Sequence, residues 1–158
     1  MLRFKIFSFV FIIILLLYTS CTSVDDPAKK ELKWYLNVVL VPFNLEAEAI
    51  DALAAVSGDN YQTDQAMLEA IRSRVLPKLR EFKKAMKAIE PVTNEVSGLN
   101  RQYLEVIDLH IKAVETLEVA LMKGSKTELE EWKRLLSQRS LVYNKWEVKL
   151  TELNKKYK

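Results

Sequence analysis

Glycine is nearly missing from this chain, with three in 158 residues, and proline is almost as scarce at four. That supply excludes a turn-dense β sandwich and a glycine-rich loop of the kind that cradles phosphate. A single cysteine excludes an internal disulfide framework, and one His with one Cys cannot build a zinc site from those ligands alone. With that one His and no glycine-flanked serine elbow, the parts of a nucleophilic triad are missing too. Neither sign of charge dominates: 24 bases face 21 acids, and this near balance makes no case for a nucleic-acid partner. What remains is 49% hydrophobic and 28% charged, which suits one domain with a buried core.

The amino terminus reads as an address. Arg3 and Lys5 stand without an acid, and an apolar stretch then runs from Ile6 to Leu17. A basic start followed by about a dozen apolar residues is the order of a secretory signal. The uncharged run from Ile6 to Ser20 would make a helix of roughly 22 Å. That falls short of the roughly 30 Å hydrocarbon core, so a cleaved signal is preferred to a spanning anchor. The run closes on Leu17-Tyr18-Thr19-Ser20-Cys21, which contains the only Cys of the chain.

These residues resemble the lipobox of bacterial lipoproteins, in which small residues precede a Cys that is acylated and becomes the new amino terminus. Thr19, Ser20 and Cys21 match that pattern, and Tyr18 stands where an aliphatic residue is usual. The resemblance covers residues 1–21 and concerns location. It implies a signal peptide over 1–20, lipid attachment at Cys21, a tether over 21–26 and a domain over 27–158. It further implies residence in the bacterial cell envelope. Thr22, which is not an Asp, favours the outer membrane in an organism with two membranes and the outer face of the cell membrane otherwise. Loss of Arg3 and Lys5 would leave 22 bases against the 21 acids.

Beyond the tether, punctuation divides the chain into four long segments. Asp26-Pro27 reads as an N-cap with a first-turn proline, and Ser57-Gly58 as a stop. Thr63 can cap a second segment that ends before Pro91. Thr93 can cap a third that stops at Gly124, and Ser125-Lys126-Thr127-Glu128 is a capping box for the fourth. Apolar residues recur at alternating spacings of three and four, as in Val96, Leu99, Tyr103, Val106, His110, Ala113, Leu117 and Ala120. The same rhythm runs from Leu129 through Trp132, Leu136, Arg139, Tyr143, Trp146 and Leu150 to Tyr157. Such stripes predict amphipathic helices over roughly 27–57, 64–90, 94–123 and 126–157. Short connections predict an all-α, antiparallel, up-down-up-down four-helix bundle.

Three polar residues fall on the apolar faces: Glu46, His110 and Arg139. Folding the last two helices back at Gly124–Ser125 sets His110 opposite Arg139, and Glu46 lies 14 residues from a first turn centred near Asn60. An acid, an imidazole and a guanidinium are thus expected at one level of the core, within about one turn. Pro42 and Pro77 are expected to kink their helices and to face each other nearby, freeing the carbonyls of Val38 and Ser73. One use of such a layer is to set helix register. The other is a small pocket for a polar or anionic ligand. Metal chemistry fits poorly, because bundle metal sites want Glu-x-x-His pairs and Ile107 stands three before His110.

One end of the bundle is expected near the bilayer, because five residues of tether reach at most roughly 17 Å. Segments 25–36, 80–101 and 149–158 would gather there with a surplus of bases, and Trp34, Lys155, Lys156 and Tyr157 are the candidate membrane-near residues. The functional expectation is a lipid-anchored, extracytoplasmic helical bundle without catalytic activity or cofactor. It would act on an envelope protein or through other envelope contacts. The alternative expectation is a ligand-binding bundle with its pocket at the Glu46/His110/Arg139 layer.

Overall fold

A computed structural model describes residues 26–158, so the signal segment, Cys21 and the tether up to residue 25 lie outside the described residues. The described chain is helical throughout and contains no strand. Helix α1 spans Pro27–Val38 and α2 Leu40–Ala54. A short 3₁₀ turn at Gly58–Asn60 leads to α3, Asp64–Ala70, which runs through a π-helical segment, Ile71–Val75, into α4, Leu76–Lys87. Helices α5, Asn94–Lys123, and α6, Lys126–Lys156, are uninterrupted. The chain thus forms four helical arms: α1–α2, α3–α4, α5 and α6.

The caps follow from side-chain chemistry. The Asp26 carboxylate accepts from the Ala28 N–H at 2.9 Å with Pro27 at the first helical position. Thr63 accepts from the Ala66 N–H at 3.1 Å. Ser125 accepts from the Glu128 N–H at 3.5 Å, half of the expected capping box; the Glu128 carboxylate takes the Ser125 hydroxyl, and the Ser125 N–H goes to the Ala120 carbonyl instead. Gly124 ends α5 at φ 61°, in the left-handed region where a side chain is strained.

Both interior prolines disturb their helices, in different ways. Pro42 has no N–H for the Val38 carbonyl, and the first arm breaks at Val39, immediately after that residue. The expected single helix over 27–57 is therefore two, ending at Ala54. Ahead of Pro77 the turn widens instead: the Leu76 N–H bonds the Ile71 carbonyl, five residues back, across the turn that contains Ser73. The two prolines do not face each other, since Pro42 is buried and Pro77 exposed. Position 77 lies on the far side of the helix from Val75 and Leu79, which hold the core stripe.

The core divides into two clusters along the molecule. One joins Leu32, Tyr35 and Leu36 of α1, Phe82 and Met86 of α4, Val96 to Ile107 of α5, and Trp146 to Leu153 of α6. The other is smaller in its side chains, with Ala49, Met67, Ile71, Val75, Leu79, Val114 and Leu117. Among the described residues, the buried members of both clusters lie between Leu32 and Leu153. Ion pairs Arg72–Glu118, Arg80–Glu115 and Lys83–Asp108 tie the second arm to α5, ascending one while descending the other.

Candidate functional site

Of the three polar residues on the apolar faces, His110 and Arg139 meet the carboxylate of the third, Glu46, and a fourth residue, Tyr103, joins them. Glu46 sits on α2 one turn after Phe43 and is buried. Its Oε1 accepts from Arg139 Nη2 of α6 at 2.8 Å, and its Oε2 accepts from the Tyr103 hydroxyl of α5 at 2.7 Å. His110, two turns beyond Tyr103 on the same face of α5, places Nδ1 3.4 Å from Oε1, without regular hydrogen-bond geometry. Arg139 retains 22% side-chain exposure, so the layer opens toward water on the α6 side.

Aromatic packing fixes Tyr103. Its ring centroid lies 5.1 Å from Phe43, 6.1 Å from Phe82 and 4.7 Å from Trp146, in tilted or edge-on contacts. Phe43 precedes Glu46 by one turn and Tyr143 follows Arg139 by one turn, so the helices that carry the aromatics also carry the charges. The hydroxyl is thereby aimed at a carboxylate from a ring that has little freedom to turn.

The electrostatics follow from this packing. Burial alone would push the Glu46 carboxyl up, but His110, the Arg139 charge and the Tyr103 hydroxyl outweigh it and hold the pKa at about 2. Burial dominates at His110 and lowers its pKa, with Arg139 adding to the effect against the pull of Glu46. Burial and then Glu46 push the Tyr103 phenol well above its ordinary range. At neutral pH the layer is a carboxylate and a guanidinium that cancel, beside a neutral imidazole and a neutral phenol. Glu46 is then an acceptor with both oxygens engaged, a poor general acid and a weak base.

A second polar joint lies about one turn nearer the start of α5 than Tyr103. Asn100 is buried; its amide donates to the Ile89 carbonyl at 3.0 Å and its carbonyl accepts from the Tyr35 hydroxyl at 3.3 Å. Glu31 of α1 accepts from the Thr93 N–H at 2.8 Å, and also from the Val92 N–H and the Thr93 hydroxyl. Thr93 stands at the N-cap of α5, but its side chain makes no cap to that helix and donates to Glu31. Glu31 therefore serves the start of α5 from another helix, where an anion is favoured.

Sequence reading missed Tyr103, Asn100 and Glu31. Tyr103 was hidden because a tyrosine in an apolar stripe looks like core, and its hydroxyl shows only when an acceptor is placed opposite. Asn100, adjacent to Leu99, is the one buried amide, and a polar residue beside a stripe was its signal. Glu31 carried none, being one acid among three lysines.

Of the residues expected near the membrane, Trp34 and Lys155 are exposed. Lys156 pairs with Glu95 at 3.4 Å and lies 4.8 Å above the Tyr157 ring, which is half-buried on the core. Among the described residues, no group of three or more His, Cys, Asp or Glu is placed to hold a metal ion. No helix among them is long and apolar enough to cross a membrane. No family model, curated protein or solved structure matches the chain.

Proposed function

We propose that this protein is a lipid-anchored, extracytoplasmic helical bundle that works through contacts with an envelope protein or the envelope itself, without catalysis. The observation that carries the reading is the order of the amino terminus. A basic start and an apolar run end at the sole Cys, five residues ahead of the Asp26 cap. Cleavage before Cys21 and acylation of its sulfur would fasten the domain to a bilayer, since two or more acyl chains hold where one does not. The bundle is best read as up-down-up-down. Its outer-membrane placement, in a two-membrane organism, follows from Thr22.

The Glu46 layer fits this reading as a device for register. Its carboxylate is claimed by the chain's own Tyr103 and Arg139, which leaves Glu46 no free oxygen to bind or react with a substrate. A buried charge pair of this kind selects which helices meet and at what height, more than it adds stability. One observation favours a ligand instead: Arg139 Nε is buried without a hydrogen-bond partner, on the side of the layer that opens to water. A small anion would satisfy it. If so, the variant with Glu46, His110 and Arg139 all made apolar folds but no longer binds that anion.

The anchoring is tested by growing cells with a clickable palmitate analogue. Wild-type protein is expected to take the label and Cys21→Ala to remain an unlabelled precursor. Equal labelling of the two would end the lipoprotein reading.

A further inference from the structure

The loop between α4 and α5 exposes a valine more fully than any other large apolar side chain among the described residues. Val92 is 89% exposed, and its N–H is bonded to Glu31 of α1. Trp34, 45% exposed, stands three residues beyond Glu31, which places it on the same side of α1 as the carboxylate that holds Val92. An exposed indole and an exposed isopropyl group thus stand at the same end of the bundle, on either side of Glu31.

The flanks of this apolar pair are basic. Lys84 and Lys87 occupy the last turn of α4, adjoining the loop, and Lys33 precedes Trp34. The Lys156–Glu95 pair brings the end of α6, with exposed Lys155, beside the first turn of α5, three residues from Val92. Lys33, Lys84, Lys87 and Lys155 make no ion pair among the described residues, whereas Glu31 and Glu95 are both engaged. Exposed Glu90 is the one acid of the loop itself.

From these observations we infer that this end of the bundle rests on an anionic phospholipid bilayer. Val92 and Trp34 enter the headgroup boundary, and the lysines contact lipid phosphates. The chemistry is that of membrane interfaces generally: an indole at the headgroup level and bases against a negative surface. The inference rests on the lipid-anchor reading for its biological setting, because the chain enters α1 only a few residues from Cys21. The patch itself stands on its own geometry.

The test uses a chain from Thr22 to Lys158, which holds every described helix and contains no other Cys. A histidine tag at its amino terminus fixes it to vesicles through a nickel-chelating lipid, so attachment does not depend on acylation. An environment-sensitive fluorophore is placed by Val92→Cys or, at the first loop, by Gln62→Cys. On phosphatidylcholine vesicles containing phosphatidylglycerol, the label at 92 is expected to brighten and shift to the blue. It should stay water-like on phosphatidylcholine alone and in high salt. The label at 62 is expected not to respond, and Lys84→Glu with Lys87→Glu should abolish the response at 92 while circular dichroism is unchanged. A label at 92 that ignores anionic lipid, as a patch built for a protein partner would, overturns the inference. An equal response at 62 overturns it as well. Neither result bears on Cys21, whose acylation the palmitate label measures separately.

Discussion

The two halves of the chain are helical in different ways. The first two arms are broken, by a turn at Val39 and a π-helical segment at Ile71–Val75, while α5 and α6 run 30 and 31 residues without interruption. Proline is the difference: Pro42 and Pro77 both lie in the first half. The regular half supplies Tyr103, His110 and Arg139 at fixed heights, and the broken half brings Glu46 to them. A straight pair of helices acts as a ruler, against which an irregular pair is positioned through one carboxylate.

If that is how the halves are joined, the largest effect comes from removing one partner of the joint. Glu46→Gln and Arg139→Met are each expected to cost about 3–5 kcal/mol in denaturant unfolding, because the survivor is left charged and unpaired. The double variant should cost less than the sum of the two, since no lone charge remains. Additive effects near zero would mean that water, and not the partner, satisfies these groups.

Acid should loosen the same joint. Glu46 titrates near 2 when folded against 4.5 in an open chain. Its contribution is therefore present above about 4.5 and is lost as pH falls toward 2, amounting to about 3 kcal/mol. A folded-state depression has this sign because the unfolded chain binds the extra proton. Unfolding curves from pH 5 to 2 should show the loss in the wild type and a shallower one in Glu46→Gln.

A smaller effect is expected at the other joint. Glu31→Ala removes the acceptor shared by Val92 and Thr93 and should cost about 1–2 kcal/mol, as lost helix caps do. Hydrogen exchange sharpens the comparison of halves. Amides around Val39 and Leu76 are expected to exchange faster than those in the middle of α5, where the ladder is unbroken. Equal protection would mean that the interruptions cost the first half nothing in local stability.

How much of this was legible in the sequence also differs between the halves. Every residue of the stripe from Val96 to Ala120 is buried, because an uninterrupted helix keeps its phase over 30 residues. In the first arm the buried face shifts after the break: Ala49 is fully buried, while the larger apolar side chains Ile50 and Leu53 are only half-buried. A kink rotates everything beyond it by an amount that wheel arithmetic does not contain. Height along the arm depends on rise per residue, which a kink hardly alters, and Glu46 lies 2.8 Å from Arg139 and 3.4 Å from His110. Partners were the harder part. Tyr103 and Glu31 act through atoms whose use is decided on another helix.

The smallest effect belongs to His110, and its size separates a structural imidazole from one that the joint requires. Burial keeps the ring neutral, and its Nδ1 stands 3.4 Å from Glu46 Oε1 without a regular hydrogen bond, so Tyr103 and Arg139 remain the donors that satisfy the carboxylate. Leucine has a similar volume and leaves no polar group behind. His110→Leu is therefore expected to change stability at pH 7 by within about 1 kcal/mol. Its effect should appear in acid. The folded-state pKa is lowered from 6.5, so below that pH the unfolded chain takes up a proton that the folded chain refuses, and stability falls. His110→Leu removes this upper step and leaves a shallower lower one, which belongs to Glu46, because His110 is among the groups that hold that carboxyl down. Denaturant unfolding at pH 7.5, 6.0 and 5.0 measures it: the wild type should weaken across that series while His110→Leu stays level. A variant that weakens in parallel with the wild type would assign the upper step to other groups. A large loss at pH 7.5 would make the imidazole a working member of the joint.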